Sequence, residues 1–177
     1  MGFDKLTALF DGVPLARRIA LGLRELEPLF VATPAVADVI ADLDFVRVVV
    51  TEPTAGPSAT LALAHAAVEP DAHMAVLPCD VPFVDAALVR AFVSRVPDDA
   101  DLAWPVVHAT PGHPVVWSAN ARLRIPSLRD DQAPSSVRRD PALRAAALDE
   151  SDEAYVSDVD TPDAWEAAEA RARRGCR

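Results

Sequence analysis

Residues 74–83 read Met-Ala-Val-Leu-Pro-Cys-Asp-Val-Pro-Phe, and how this stretch is read decides the fold. Met74 to Leu77 is a short apolar run bounded by turn residues, the pattern of a strand buried on both faces. Asp80 stands just beyond it, between Pro78 and Pro82, whose rings restrict the backbone on either side. In a sheet wound from alternating strands and helices, ligands bind beyond the carboxyl ends of the strands. A carboxylate placed there can hold a hard cation such as Mg²⁺, which takes one or two carboxylates and completes its shell with water and substrate phosphates. The alternative is that Asp80 only caps a turn.

Working outward, Val46 to Val50 is a second run of the same kind, and both are expected as central parallel strands. Pro14, Pro34 and Pro57 each suit a first helical position. Behind Pro14, Leu15, Ile19, Leu23 and Leu26 recur at helical spacing; behind Pro34, Val36, Val39, Ile40 and Leu43 do the same. Asp85 caps a helix with Leu88, Val89, Phe92 and Val93 on its buried face, and Thr161 with Pro162 starts a last helix rich in arginine at its end. Leu102 to Val107 and His113 to Trp117 read as strands joined by a His-Ala-Thr-Pro-Gly turn, a local antiparallel addition that makes the sheet mixed. Arg124 to Leu148 shows no period and reads as loop with one or two short helices; Tyr155 to Ser157 reads as a short strand. The sum is an α/β fold, a doubly wound and mostly parallel, mixed sheet of Rossmann-like form, in a single domain over residues 1–177.

Composition narrows the function. At 177 residues, 51% hydrophobic, the chain fits one globular domain. A net charge of -10 gives no overall positive field to hold nucleic acid or an anionic membrane, and neither is expected as a partner. An anionic nucleotide can still bind where a metal ion, helix N-termini and a few placed cations supply local positive charge. Cys79 and Cys176 show neither disulfide nor zinc-ligand spacing, so a reducing cytoplasm is expected. No stretch approaches the ~20 apolar residues of a membrane span, and no signal peptide is evident.

Other residues invite chemistry. In Ser157-Asp158-Val159-Asp160-Thr161-Pro162, strand alternation would point Asp158 and Asp160 to one side. Near Asp80 they complete a metal site; elsewhere they are acids favouring a helix dipole. Gly56-Pro57-Ser58, opening a helix after a strand, offers backbone N–H groups to a phosphate or base. Lys5 alone reads as a solvated lysine, and His113 between Gly112 and Pro114 as a structural histidine.

Taken in order, these segments resemble the MobA-like nucleotidyltransferase family, which includes the molybdenum cofactor guanylyl- and cytidylyltransferases. Met1-Gly2-Phe3-Asp4-Lys5 is similar to the end of that family's Arg-Met-Gly-x-x-Lys signature, followed by Asp11-Gly12-Val13-Pro14-Leu15. The likeness continues at Gly56-Pro57-Ser58, Pro78-Cys79-Asp80-Val81-Pro82, Gly112-His113-Pro114-Val115 and Asp158-Val159-Asp160-Thr161-Pro162. The resemblance implies that Lys5 and Asp80 are the catalytic pair. Gly2, Lys5, Gly56 and Ser58 would contact the nucleotide, and Asp80 would hold Mg²⁺ with Asp160 or Asp158. Gly112, His113 and Pro114 would line the acceptor side. The implied reaction is attack of an acceptor phosphate oxygen, that of molybdopterin for example, on the α-phosphorus of a nucleoside triphosphate, releasing pyrophosphate. CTP is expected ahead of GTP.

Two departures stand beside the likeness. The family's opening strand and glycine-rich loop do not precede Met1, which implies a start site placed too far downstream or a shortened paralogue that binds without catalysis. Lacking that strand, the sheet is expected to expose edges. In addition, Asp130-Asp131-Gln132-Ala133-Pro134 stands where the cytidylyltransferases carry a glycine-containing segment.

Overall fold

The computed structural model describes residues 4–130 and 132–175. A hairpin of β1 (Leu9–Phe10) and β2 (Val13–Pro14) leads into α1 (Leu15–Gly22). Then come β3 (Leu29–Ala32), α2 (Pro34–Asp38), β4 (Arg47–Val50), α3 (Pro57–Ala66) and β5 (Met74–Val76). They are followed by α4 (Ala86–Val93), β6 (Leu102–Val107), β7 (Thr110–Pro111), β8 (Val115–Trp117) and α5 (Ala119–Arg122). The chain closes with β9 (Ala145–Asp149) and α6 (Pro162–Arg173). Among the described residues no helix is long and apolar enough to cross a membrane.

The helix starts follow from local chemistry. Pro34 and Pro57 occupy first-turn positions of α2 and α3, where a missing N–H loses nothing. Pro14 sits one residue earlier than expected, as the residue before α1. The Asp85 side chain accepts from the Leu88 amide at 3.0 Å and the Thr161 hydroxyl from the Ala164 amide at 3.1 Å, each satisfying an orphan donor of a first turn.

The sheet is mixed, as the sequence implies. β3 and β4 run parallel, and β6 and β9 run parallel; β5 to β8, β8 to β6 and β6 to β7 are antiparallel. Two expectations are corrected in detail. Val46–Val50 and Met74–Leu77 belong to separate pieces of sheet: β4 pairs only with β3, while β5 is the end strand of a five-stranded piece. Tyr155–Ser157 is no strand but part of a 3₁₀ turn over Glu153–Val156, started by the Asp152 side chain accepting from the Ala154 amide at 2.8 Å.

Two cores flank the sheet. One gathers Phe10, Leu15, Ile19, Ile40, Phe92, Tyr155 and Trp165 with α1, α2, α4 and α6; the other gathers Leu61, Leu102, Trp117, Ile125 and Val137 beneath α3 and α5. Between β3 and β5 lies a cavity of about 1480 Å³, walled by Leu29–Thr33 on one side and Met74–Cys79 on the other. Ile19 of α1 and Leu23 just past its end, Val89 and Val93 of α4 and Leu61 and Ala64 of α3 close it from both layers. The edges of β3 and β5 that face it carry no strand partner among the described residues.

Candidate functional site

β5 delivers the chain to Asp80, and Val81, Phe83 and Val84 behind it are buried and anchor the segment. The Asp80 side chain, held between these anchors, keeps 23% exposure at the strand end. Lys5 reaches the same place from the other end of the sequence. Its segment is tied to the start of α1 by the Ala16 amide donating to the Leu6 carbonyl at 2.9 Å and the Leu15 amide to the Ala8 carbonyl at 3.0 Å.

The third element is 158–160. Val159 is fully buried, and its amide donates to the Asp80 carbonyl at 2.9 Å. Period-two geometry therefore turns Asp158 and Asp160 outward, and both are exposed. The Lys5 ammonium donates to Asp80 Oδ2 at 2.9 Å and to Asp160 Oδ1, so one cation bridges two carboxylates that are 80 residues apart in sequence. Burial on its own would lower the Lys5 pKa; the hydrogen bonds to Asp160 and Asp80, with their charges, outweigh it and hold the ammonium above its ordinary value.

A divalent cation suits this donor set. Two carboxylates already converge on one positive group, as Mg²⁺ or Mn²⁺ requires of a protein that leaves its other positions to water and phosphate. Among the described residues no trio of His, Cys, Asp and Glu side chains is arranged to hold a metal unaided, so substrate oxygens would have to complete the shell. Cys79 contributes no nucleophile: burial, then the neighbouring Asp80 charge, push its thiol up to about 12.

The cavity opens beside this cluster, with Asp4, Leu6, Pro78 and Cys79 on its wall next to Lys5 and Asp80. Pro111, His113 and Pro114 line it as well. Gly112 lies so close to the 153–156 turn that an added Cβ would stand 2.4 Å from the Tyr155 carbonyl oxygen, so only glycine fits there. The His113 amide donates to that same carbonyl at 2.9 Å, while its ring Nδ1 is buried with no hydrogen-bond partner. Burial lowers the His113 pKa, the Arg138 charge adds to this, and Asp80 and Asp158 oppose it; the ring is neutral near pH 7.

The remaining sequence candidates fall differently. Gly2 lies outside the described residues. Gly56 precedes α3, and its carbonyl accepts from the Thr60 amide at 3.2 Å. Ser58 is buried, and its hydroxyl donates to the Gln132 carbonyl, so the side chain pins the 130s loop instead of facing the Lys5 cluster. Arg138, which the sequence reading passed over, stands on the cavity wall with its guanidinium 4.3 Å from the centre of the Trp104 ring. Only its place after buried Val137 in a Pro-started turn hinted at an ordered position.

An acidic pair and a lysine gathered beyond strand ends, beside a large cavity in a mixed α/β sheet, stand where proteins of the doubly wound class bind their ligands. The chain belongs to the MobA-like NTP transferase domain family, whose model matches residues 1–147. That is a family of nucleotidyltransferases, and Asp158 and Asp160 lie past the matched region. No curated protein matches the sequence. Solved structures share the fold. A homologue of Mycobacterium tuberculosis rv0371c from mycobacterium sp. strain JC1 is 18% identical, with 98% of this chain and 90% of that one covered and a TM-score of 0.80. Rv0371C of Mycobacterium tuberculosis H37Rv, in complex with manganese, is 20% identical over 96% and 93% of the two chains, TM-score 0.78. The molybdopterin-guanine dinucleotide biosynthesis protein A of Archaeoglobus fulgidus is 16% identical over 98% and 92%, TM-score 0.72.

Proposed function

We propose that this protein transfers a nucleoside monophosphate from a nucleoside triphosphate, CTP in preference to GTP, to a phosphorylated small acceptor such as molybdopterin, releasing pyrophosphate. The observation that carries this reading is the bridge from Lys5 to both Asp80 and Asp160 at the mouth of the cavity. Asp80 and Asp160, with Asp158 beside them, would hold Mg²⁺, which when bound neutralises charge on the triphosphate. Mn²⁺ in a structure of the same fold supports a divalent ion at such a site.

The residues of the chain supply the rest. Lys5 is kept cationic by its two carboxylates and contacts phosphate oxygens, which helps the departing pyrophosphate to carry its charge. Backbone donors at the start of α3, around Gly56, lie after strand β4, where a nucleotide is read in this kind of fold. The Gly112 to Pro114 wall faces the acceptor. No protein base is needed, because an acceptor phosphate oxygen is already an anion near neutral pH. The preference for CTP rests on the likeness of Gly112-His113-Pro114-Val115 and Asp158-Val159-Asp160-Thr161-Pro162 to the cofactor cytidylyltransferases. Free Cys79 fits a reducing cytoplasm, and the charge of -10 fits a protein without nucleic-acid partners.

The test is pyrophosphate release in the presence of Mg²⁺, molybdopterin and either CTP or GTP. Release should be faster with CTP and should vanish in Asp80→Ala at unchanged folding. A variant as active as its parent removes the metal-binding role of Asp80, and equal rates with the two nucleotides remove the base preference.

A further inference from the structure

Arg138 is a charged group without a counter-charge. Its guanidinium lies over Trp104, its Nε is buried and makes no hydrogen bond, and no carboxylate pairs with it among the described residues. Arg18 also has a buried Nε without a partner and lies over the Phe10 ring, but it is not on the cavity wall; Arg138 is, whereas Arg124 pairs with Asp140 at 2.7 Å, Arg95 with Glu150 and Arg173 with Glu169 at 2.9 Å. A half-buried guanidinium left unpaired is unfavourable, and an anion removes the penalty.

His113 repeats the pattern. It lines the same cavity as Arg138, and its Nδ1 is likewise buried without a hydrogen-bond partner. The wall of that cavity also runs through Pro78 and Cys79, next to Asp80 in the chain. Arg138 and His113 are both held from behind: Trp104 supports the guanidinium plane, and the His113 backbone is fixed to the Tyr155 carbonyl. A planar, preset guanidinium offers its N–H fork to two oxygens of one phosphate, and a neutral imidazole can donate one further hydrogen bond.

We infer that Arg138 and His113 form an anion subsite that takes the phosphate monoester group of the acceptor. The identity of the anion as an acceptor phosphate rests on the nucleotidyl-transfer reading; the subsite itself rests on the unpaired Arg138 guanidinium, braced by Trp104, and on His113 in the wall of the same cavity. The dianion of a phosphate monoester satisfies both, whereas a neutral alcohol would leave Arg138 unpaired. The subsite thus selects phosphorylated acceptors and presents a phosphate oxygen toward the Lys5 and Asp80 side of the cavity.

The experiment is calorimetric titration of the full chain with inorganic phosphate, free of metal and nucleotide, for the parent, Arg138→Gln, Arg138→Lys and His113→Gln. The thermal midpoint of each variant is recorded to confirm folding. Phosphate should bind the parent and lose about tenfold in affinity in Arg138→Gln, the scale of one charge-assisted hydrogen bond. Arg138→Lys, which keeps the charge and loses the fork, should fall between, and His113→Gln should weaken binding less than Arg138→Gln. A parent that does not bind phosphate, or a folded Arg138→Gln that binds as tightly as the parent, overturns the subsite. The two readings fail separately. Arg138-dependent phosphate binding without any pyrophosphate release from CTP or GTP sinks the transferase and leaves the subsite. Pyrophosphate release whose KM for molybdopterin does not rise in Arg138→Gln does the reverse.

Discussion

The amide of Val159 donates to the carbonyl of Asp80 across 2.9 Å, and this bond joins the segment beyond β5 to the stretch that carries Asp158 and Asp160. Val159 is fully buried, so the pair rides on a core residue while its carboxylates face outward. Placement of the acidic cluster is therefore a property of packing as much as of the acids.

Lys5 couples this cluster to pH. Its pKa is raised in the folded protein, since the bonds to Asp160 and Asp80 exceed the opposing effect of burial. The stability it contributes is complete below its unfolded value of about 10.4 and disappears as pH rises through the higher folded value. Chemical denaturation at a series of alkaline pH values should show this decline in the parent and a shallower one in Lys5→Met. Identical slopes would mean that the bridge does not exist in solution.

Histidines set the acid side. Burial lowers the pKa of His65, helped by the Arg122 charge, and burial likewise lowers His113, helped by Arg138 against Asp80 and Asp158. As pH falls through about 6.5 the unfolded chain takes up protons that the folded chain refuses, so stability drops and levels off only below the folded values. Thermal midpoints measured across this range should fall less steeply in His113→Gln than in the parent.

Gly112→Ala tests the close approach on the cavity wall. The new methyl would meet the Tyr155 carbonyl oxygen at 2.4 Å and its carbon at 2.9 Å, both backbone atoms that cannot swing aside. Overpacking of this kind costs about 1–3 kcal/mol, and the shift should also displace His113. A variant with unaltered stability by urea denaturation would contradict the contact.

Arg122 is fully buried and bonded almost wholly to main chain. It donates to the carbonyls of Glu69 at 2.7 Å, His65 at 3.2 Å and Val68 at 3.1 Å, and its Nε to His65 Nδ1 at 3.3 Å. It thereby closes the open carbonyls at the end of α3 and the loop leading to β5. Lysine cannot span this set with one ammonium, and Arg122→Lys should lose about 2–4 kcal/mol in a denaturant titration.

What the sequence disclosed and what it hid divide along a physical line. Pro34, Pro57, Asp85 and Thr161 mark their helices because capping involves only neighbours in the chain. Asp80 was legible as a strand-end carboxylate for the same reason. β9 was not: Ala145-Ala146-Ala147-Leu148-Asp149 has the composition of a helix and becomes a strand because it pairs in register with Leu102–Val106 of β6. β3, Leu29–Ala32, was passed over although it is as long as β4, because the helical spacing of Leu15, Ile19, Leu23 and Leu26 runs almost up to it. The bridge from Lys5 to Asp160 and the orphaned Arg138 depend on residues brought together from distant parts of the chain, which no local pattern encodes.

The gap between β3 and β5 separates two pieces of sheet. Phe30 of β3 and Ala75 of β5 line it from opposite sides, on strand edges that have no strand partner among the described residues. Side chains of α1, α3 and α4 cover it from the two helical layers. Facing edges of this kind, with main-chain N–H and C=O groups left open, are a template on which a further extended segment can pair.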